Sequence, residues 1–328
     1  MQGHNPHEGF AFTLEKIPEH CGRNAFDNEW RKYFGKPINK RIVGGSATAY
    51  GEWPWLTSLM FYQTAEQVKK QKELQIKSDE EELEFLDEIN KNEEILEEID
   101  SFIPPSLVYN YPDGSRRPNP FYPHLSANPS SWIVRIGEHD MLNESMEHYD
   151  MSVAHVYVHP QYQSASSSGY DIALVKLTKP VKLGRYVNIA CLPSAGEEIQ
   201  PGQECISVGW GHEIDGAKNI STILKHVGVP IVPNDQCTMN YATLRNGPNP
   251  IDVTIESNVI CAGHAEGGRD ACQFDSGGPL MCQIKKQWIV SGIISFGYGC
   301  GKAGYPGVYT RVSDYIPWIK GIAEVFTF

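Results

Sequence analysis

From residue 41 onward the chain is a series of short apolar runs separated by Gly, Pro and Asn: Trp55–Phe61, Trp132–Ile136, Val153–Val158, Ile172–Leu177, Cys205–Val208, Val227–Val232 and Trp288–Ser295. Strand-length runs punctuated by turn residues predict an all-β sandwich or barrel. Residues 63–103 break this texture. Ser78, with Glu81 three residues on, forms a capping box. After it, Leu83, Leu86, Ile89, Leu96, Ile99 and Ile103 recur at spacings of three, four or seven. The spacing predicts an amphipathic helix with an acidic outer face. Its like charges repel at three- and four-residue spacing, so the helix is weak in isolation. Residues 104–131 are rich in Pro, Ser, Asn and Tyr and read as loop. Residues 63–131 therefore read as a block inserted into a β domain, a solvated surface insertion in preference to a patch for cations or a basic partner.

An apolar content of 41% over 328 residues supports a packed core and argues against wholesale disorder. The net charge of −12 is concentrated in residues 79–100, where twelve acids face the single base Lys91. With no basic face to neutralise phosphates, a nucleic-acid partner is excluded. No apolar run approaches the ~18 residues of a membrane helix, so no membrane partner is expected. The eight cysteines lack zinc-type spacing and favour four disulfides, hence an oxidising compartment and a secreted protein. Yet Met1–Glu19 has no basic patch followed by a hydrophobic stretch, so a leader is not visible. An incomplete N-terminus is the reading that reconciles the two.

The string Gly268-Arg-Asp-Ala-Cys-Gln-Phe-Asp-Ser276-Gly-Gly-Pro-Leu280 carries the strongest chemical signal, a serine in a glycine-rich turn. Other strings accompany it in order: Arg41-Ile-Val-Gly-Gly45, Asp171-Ile-Ala-Leu-Val-Lys-Leu177, Ser207-Val-Gly-Trp-Gly211, Ser295-Phe-Gly297 and Tyr305-Pro-Gly-Val-Tyr-Thr-Arg-Val312. Together they resemble the trypsin/chymotrypsin-like serine protease family over residues 41–61 and 132–328, about two-thirds of the chain.

The resemblance implies an all-β fold of two antiparallel six-stranded-type β-barrels, with a C-terminal helix and the acidic helical insertion. It divides the chain into a propeptide or tethered segment, 1–41, and a protease domain, 42–328, interrupted by the insertion at 63–131. It makes Ser276 the nucleophile and Asp171 the carboxylate that orients a base. The backbone N–H groups of Phe274 and Ser276 stand at the oxyanion hole. Cleavage after Arg41 by an activating trypsin-like protease would free the α-amino group of Ile42 to pair with Asp275, so the uncut chain is a zymogen. Asp270 falls at the base of the primary pocket, with Gly297 and Gly307 as its walls, which selects Arg or Lys. Ala271 beside it tilts the preference toward Arg, and Phe296 replaces the usual Trp. The implied disulfides are Cys205–Cys282, Cys237–Cys261, Cys272–Cys300 and Cys21–Cys191. Partners are peptide or protein substrates, or protease inhibitors. No cofactor is required; a calcium loop at Glu138, Glu144 and Glu147 is a weaker reading than solvated carboxylates. Asn143-Glu-Ser145 and Asn219-Ile-Ser221 are glycosylation sequons.

The pattern fails in one block. The family's catalytic histidine and its bracketing cysteines belong between the first strand and Trp132, and nothing in this sequence matches them. His139 and His159 occupy family positions that are not catalytic, and His124 lies in a Pro-rich loop without an orienting context. The missing block also leaves the first barrel incomplete, with four strands legible and Leu107–Tyr111 a β-prone run that could replace one. A side chain at Phe274 could turn the oxyanion donor away, because the family has glycine there. The expectation for this form is an inactive or severely impaired protease. The alternatives are an active Arg/Lys endopeptidase whose functional transcript contains the missing block, and a non-enzymatic binding or decoy protein.

Overall fold

The computed structural model describes residue 21 and residues 43–50, 52–61, 108–110, 116–118, 128–143, 147–162, 169–245, 251 and 253–324. The helix read after Ser78, His124, and Arg41 with Ile42 lie outside the described residues. In chain order the strands are β1 (Ser46–Ala47), β2 (Thr57–Phe61), β3 (Val108–Asn110), β4 (Arg116–Pro118), β5 (Trp132–Ile136), β6 (Tyr149–Val158) and β7 (Ala173–Leu177). They continue with β8 (Glu204–Gly209), β9 (Lys225–Val232), β10 (Val259–Ala262), β11 (Pro279–Ile284), β12 (Gln287–Phe296) and β13 (Gly307–Arg311). The helices are α1 (Asn234–Arg245) and α2 (Ile316–Glu324). The chain divides into two units, one of Thr57–Glu138 with His148–Val181 and a larger one holding the remainder.

In the larger unit, antiparallel strands run in the order β9-β10-β13-β12-β11-β8, and β8 pairs back onto β9 to close a six-stranded barrel. β1 joins the other edge of β9, Ser46 opposite His226. Side-chain alternation explains why β8 and β11 are apolar on both faces. Cys205, Leu280 and Cys282 point into a core with Val229, Ile260 and Tyr309. Their neighbours Ile206 and Met281 point the other way, onto Trp53, Trp210 and Trp288. Helix α1 buries Cys237, Tyr241 and Leu244, a four-then-three spacing that places them on one face. The Cys237–Cys261 disulfide pins it to β10. α2 follows a 3-10 turn, Val312–Tyr315, and buries Ile316 and Ile319. Cys205–Cys282 bridges β8 to β11, Cys272–Cys300 ties the Ser276 loop to the segment after β12, and Cys21 is bonded to Cys191. Each bridge contributes roughly 2–4 kcal/mol.

The smaller unit contains an antiparallel sheet in the order β2-β5-β6-β7. Val134, Ile136, Met151 and Val153 alternate onto its buried side. Two expectations need correction. The β-prone run at Leu107–Tyr111 is not seen to supply a strand of this sheet: among the described residues, Val108–Asn110 pairs with Arg116–Pro118 in a separate two-stranded ribbon. Trp55 and Leu56 are not strand residues either. They lie in a turn closed by Leu56 N–H to the Trp53 carbonyl (3.1 Å), and both pack on the Trp53 cluster of the larger unit.

Candidate active site

The segment between β10 and β11 carries most of the predicted chemistry. Asp275 is buried, and its carboxylate accepts from Gly211 N–H at 2.7 Å and Cys272 N–H at 3.0 Å. Burial raises its pKa, and these two hydrogen bonds oppose the rise. The nest requires glycine at two positions. Gly209 and Gly211 are two apart at the end of β8, so both face the same way. A Cβ on either would collide with the Asp275 carboxylate. The Ser207-Val-Gly-Trp-Gly211 string thus has a steric reason that sequence alone did not supply. Gly211→Ala is expected to lower stability by about 2 kcal/mol or more, since the crowded atoms include the Gln273 carbonyl as well as the buried acid. Urea unfolding with an unchanged midpoint would contradict this.

Asp270 is also buried. Its Oδ2 accepts from Gly301 N–H at 2.9 Å, whereas Oδ1 has no hydrogen-bond partner. Burial pushes its pKa up to about 7. A Cβ at Gly307 would lie 2.8 Å from Oδ1, and one at Gly297 would lie 4.0 Å from the Gly307 Cα. Asp270, Gly297 and Gly307 therefore converge, with Ala271 buried beside them. The Cys272–Cys300 bridge holds the two chain segments together. Phe296 packs edge-on against Tyr241, 6.3 Å between ring centroids. The Val43 carbonyl accepts from Asp270 N–H at 3.2 Å, which links the segment after Arg41 to the stretch of chain carrying Asp270.

Phe274 holds an unusual backbone conformation for a residue with a side chain. Its backbone keeps the left-handed conformation that glycine adopts freely, with φ 72°. The side chain is 72% exposed and its ring lies 4.8 Å from that of His212. The conformation costs roughly 1–2 kcal/mol for a residue with a Cβ. Phe274→Gly is therefore expected to stabilise the fold by about 1 kcal/mol. A fall in the denaturation midpoint would count against stored strain.

Ser276 is exposed in the turn that leads into β11, where Gly277 N–H bonds the Ile294 carbonyl at 2.9 Å. Among the described residues of its unit, no histidine hydrogen bonds to it. His139 Nδ1 meets Thr48 Oγ1 at 3.3 Å. His226 Nδ1 accepts from Trp53 Nε1 at 3.3 Å. His264 Nε2 meets the Gly228 carbonyl at 3.1 Å. His212, which sequence reasoning passed over, is held against the loop by its N–H on the Gln273 carbonyl (2.9 Å), and its buried Nδ1 has no partner. Asp171 belongs to the smaller unit, two residues before β7, where its charge adds to the burial that raises the Tyr162 pKa. His159 is buried and stacks on Tyr170.

The carboxylate of Glu138 lies 3.5 Å from Arg135 Nη1, and Glu144 is outside the described residues. Asp215 approaches Cys272 and Cys300, but both sulfurs are committed to a disulfide and offer no thiolate. No helix among the described residues is long and apolar enough to cross a membrane.

Comparison with known proteins supplies the relationship. The Trypsin family model matches residues 123–319, a stretch containing Asp171, Asp270 and Ser276. Mouse ovochymase-2 is 30% identical over 95% of this chain and 45% of its own length. Rabbit vitamin K-dependent protein C is 35% identical over 61% of this chain and 43% of its own. Rat transmembrane protease serine 7 is 30% identical over 86% of this chain and 28% of its own. The chain thus spans less than half the length of these relatives. Since the family model covers more than half of the chain, the protein belongs to the trypsin-like serine protease family.

Proposed function

We propose that this form is a secreted, zymogen-type member of the family that binds arginine and lysine side chains while hydrolysing peptide bonds poorly or not at all. The observation that carries the reading is Asp270. A buried carboxylate with one oxygen unsatisfied is unfavourable unless a cation completes it. Glycine at 307 leaves the approach to that oxygen free of side chain. A guanidinium or ammonium supplies both the charge and the missing hydrogen bond. The ligands are peptides, proteins or inhibitors that present such a side chain.

Cleavage after Arg41 by another trypsin-like protease is the proposed activating event. Asp275 has a buried carboxylate, two backbone donors and no ion pair among the described residues, which suits it to receive the α-amino group of Ile42. The Val43–Asp270 hydrogen bond supports a coupling between that event and the pocket. Ser276 is assigned as nucleophile and Asp171 as the orienting carboxylate, residue by residue, from the family strings. The domain division proposed is 1–41, then 42–328 with the insertion at 63–131.

The test separates binding from turnover. Protein cleaved after Arg41 is titrated with benzamidine, then assayed with an arginine ester and a serine-directed covalent label. Binding without turnover is the expected result. Failure to bind benzamidine would overturn the pocket assignment. Turnover within about a hundredfold of an intact triad enzyme would overturn the impairment.

A further inference from the structure

The turn between β8 and β9 exposes unusually apolar side chains. Ile214 is 71% exposed and Ile220 40% exposed. Ile220 bridges to His212, which lies under the exposed ring of Phe274. Isolated surface isoleucines need no explanation, but a cluster of apolar groups on one turn invites association unless something covers it. Asn219 stands beside Ile220, is exposed, and begins the sequon Asn219-Ile-Ser221. Four disulfides indicate passage through the compartment in which such sequons are modified.

We infer that Asn219 carries an N-linked oligosaccharide that shields this apolar turn. In the transfer, the Asn219 amide nitrogen bonds to the anomeric carbon of a lipid diphosphate-linked oligosaccharide. The bond from that carbon to the diphosphate oxygen breaks, the lipid diphosphate leaves with the electron pair, and the amide proton passes to a base of the transferase. Folding sets the timing. Ser221 is buried in the native turn, its hydroxyl donating to the Ile223 carbonyl at 2.7 Å. The transferase must read that hydroxyl before the turn closes, so modification occurs on the nascent chain. Once formed, the exposed position of Asn219 lets the glycan project without displacing the fold. Asn143, by contrast, lies half-buried in a turn closed by its own N–H on the Asp140 carbonyl (2.9 Å).

The inference rests on the proposed export, so the experiment supplies export independently. The full chain is secreted from eukaryotic cells behind a cleavable leader, and its disulfides are checked by non-reducing peptide mapping. Glycosidase treatment in heavy-oxygen water then converts any glycosylated Asn219 to an aspartate that carries the isotope. The isotope is expected at this position in most molecules. The gel shift should be lost in Asn219→Gln and Ser221→Ala and retained in Ser221→Thr. Asn219→Gln should also bind more of an apolar fluorescent dye, as the isoleucines become exposed. Unmodified Asn219 in secreted, correctly bridged protein overturns the inference, as does a shift removed only by Asn143→Gln. A native protein found in a reducing compartment would instead sink the export reading and leave the secreted-chain result standing.

Discussion

Protein cleaved after Arg41 is expected to turn over an arginine ester about a millionfold more slowly than a complete Ser–His–Asp protease, a deficit near 8 kcal/mol in the barrier. A serine hydroxyl is a poor nucleophile until a base takes its proton, and the base contributes most of the triad's effect. Among the described residues of the unit that holds Ser276, His139, His226 and His264 each have a ring nitrogen engaged, by Thr48, Trp53 and the Gly228 carbonyl respectively. His212 is buried beneath Phe274 and makes no hydrogen bond to the serine. The residual rate should not follow the titration of an imidazole. A rate–pH profile that rises through about pH 6–7, together with rapid labelling of Ser276, would reveal a base and end the claim. Ser276→Ala should leave benzamidine binding unchanged if the proposed pocket at Asp270 is the binding site.

The second large effect concerns that pocket. Benzamidine affinity should weaken about tenfold for each pH unit below about 7 and level off above it. The Asp270 carboxyl holds its proton up to about pH 7 because it is buried, and the amidinium binds only the ionised form, so binding below that pH must expel a proton. Asp270→Asn should abolish the pH dependence and weaken binding by about a hundredfold or more. Stability follows the same linkage. The folded pKa lies above the unfolded value of about 3.9. Between about pH 4 and pH 7 the native state therefore binds more protons than the unfolded chain, and stability declines as pH rises through that window. Above it the curve is flat. Asp270→Asn should remove this decline and be more stable than the parent at about pH 8. Affinity that stays constant from about pH 5 to pH 8 would mean that the acid is not the group contacted.

The strands most legible in the sequence were those whose apolar runs are their own signal. Cys205–Val208, Val227–Val232 and Trp288–Ser295 fall within β8, β9 and β12. β10, β11 and β13 were harder to see. Val259–Ala262 is four residues long, and Pro279–Ile284 and Gly307–Arg311 begin inside Gly- and Pro-containing strings that locally signal turns. Their pairing depends on contacts far along the chain, such as Leu280 opposite Ser207. Asp270, Asp275 and Ser276 could be picked out because they share one contiguous string. What surrounds them could not. The collision that forces glycine at 209 and 211 involves a side chain more than sixty residues away. The contact between His212 and Phe274 depends on the same long-range approach. The left-handed backbone at Phe274 was signalled only by the resemblance, which puts glycine there, since a residue with a Cβ seldom adopts it.

The hydrogen bond between the Val43 carbonyl and Asp270 N–H also bears on speed. Residue 42 is one Cα step, about 3.8 Å, from an anchor that is already docked. Under the proposed cleavage after Arg41, the new chain end would stay tethered through Val43, so its encounter with Asp275 would be intramolecular and at a high effective concentration. The response to the cut should accordingly be limited by peptide-bond cleavage itself, with no slower docking phase after it.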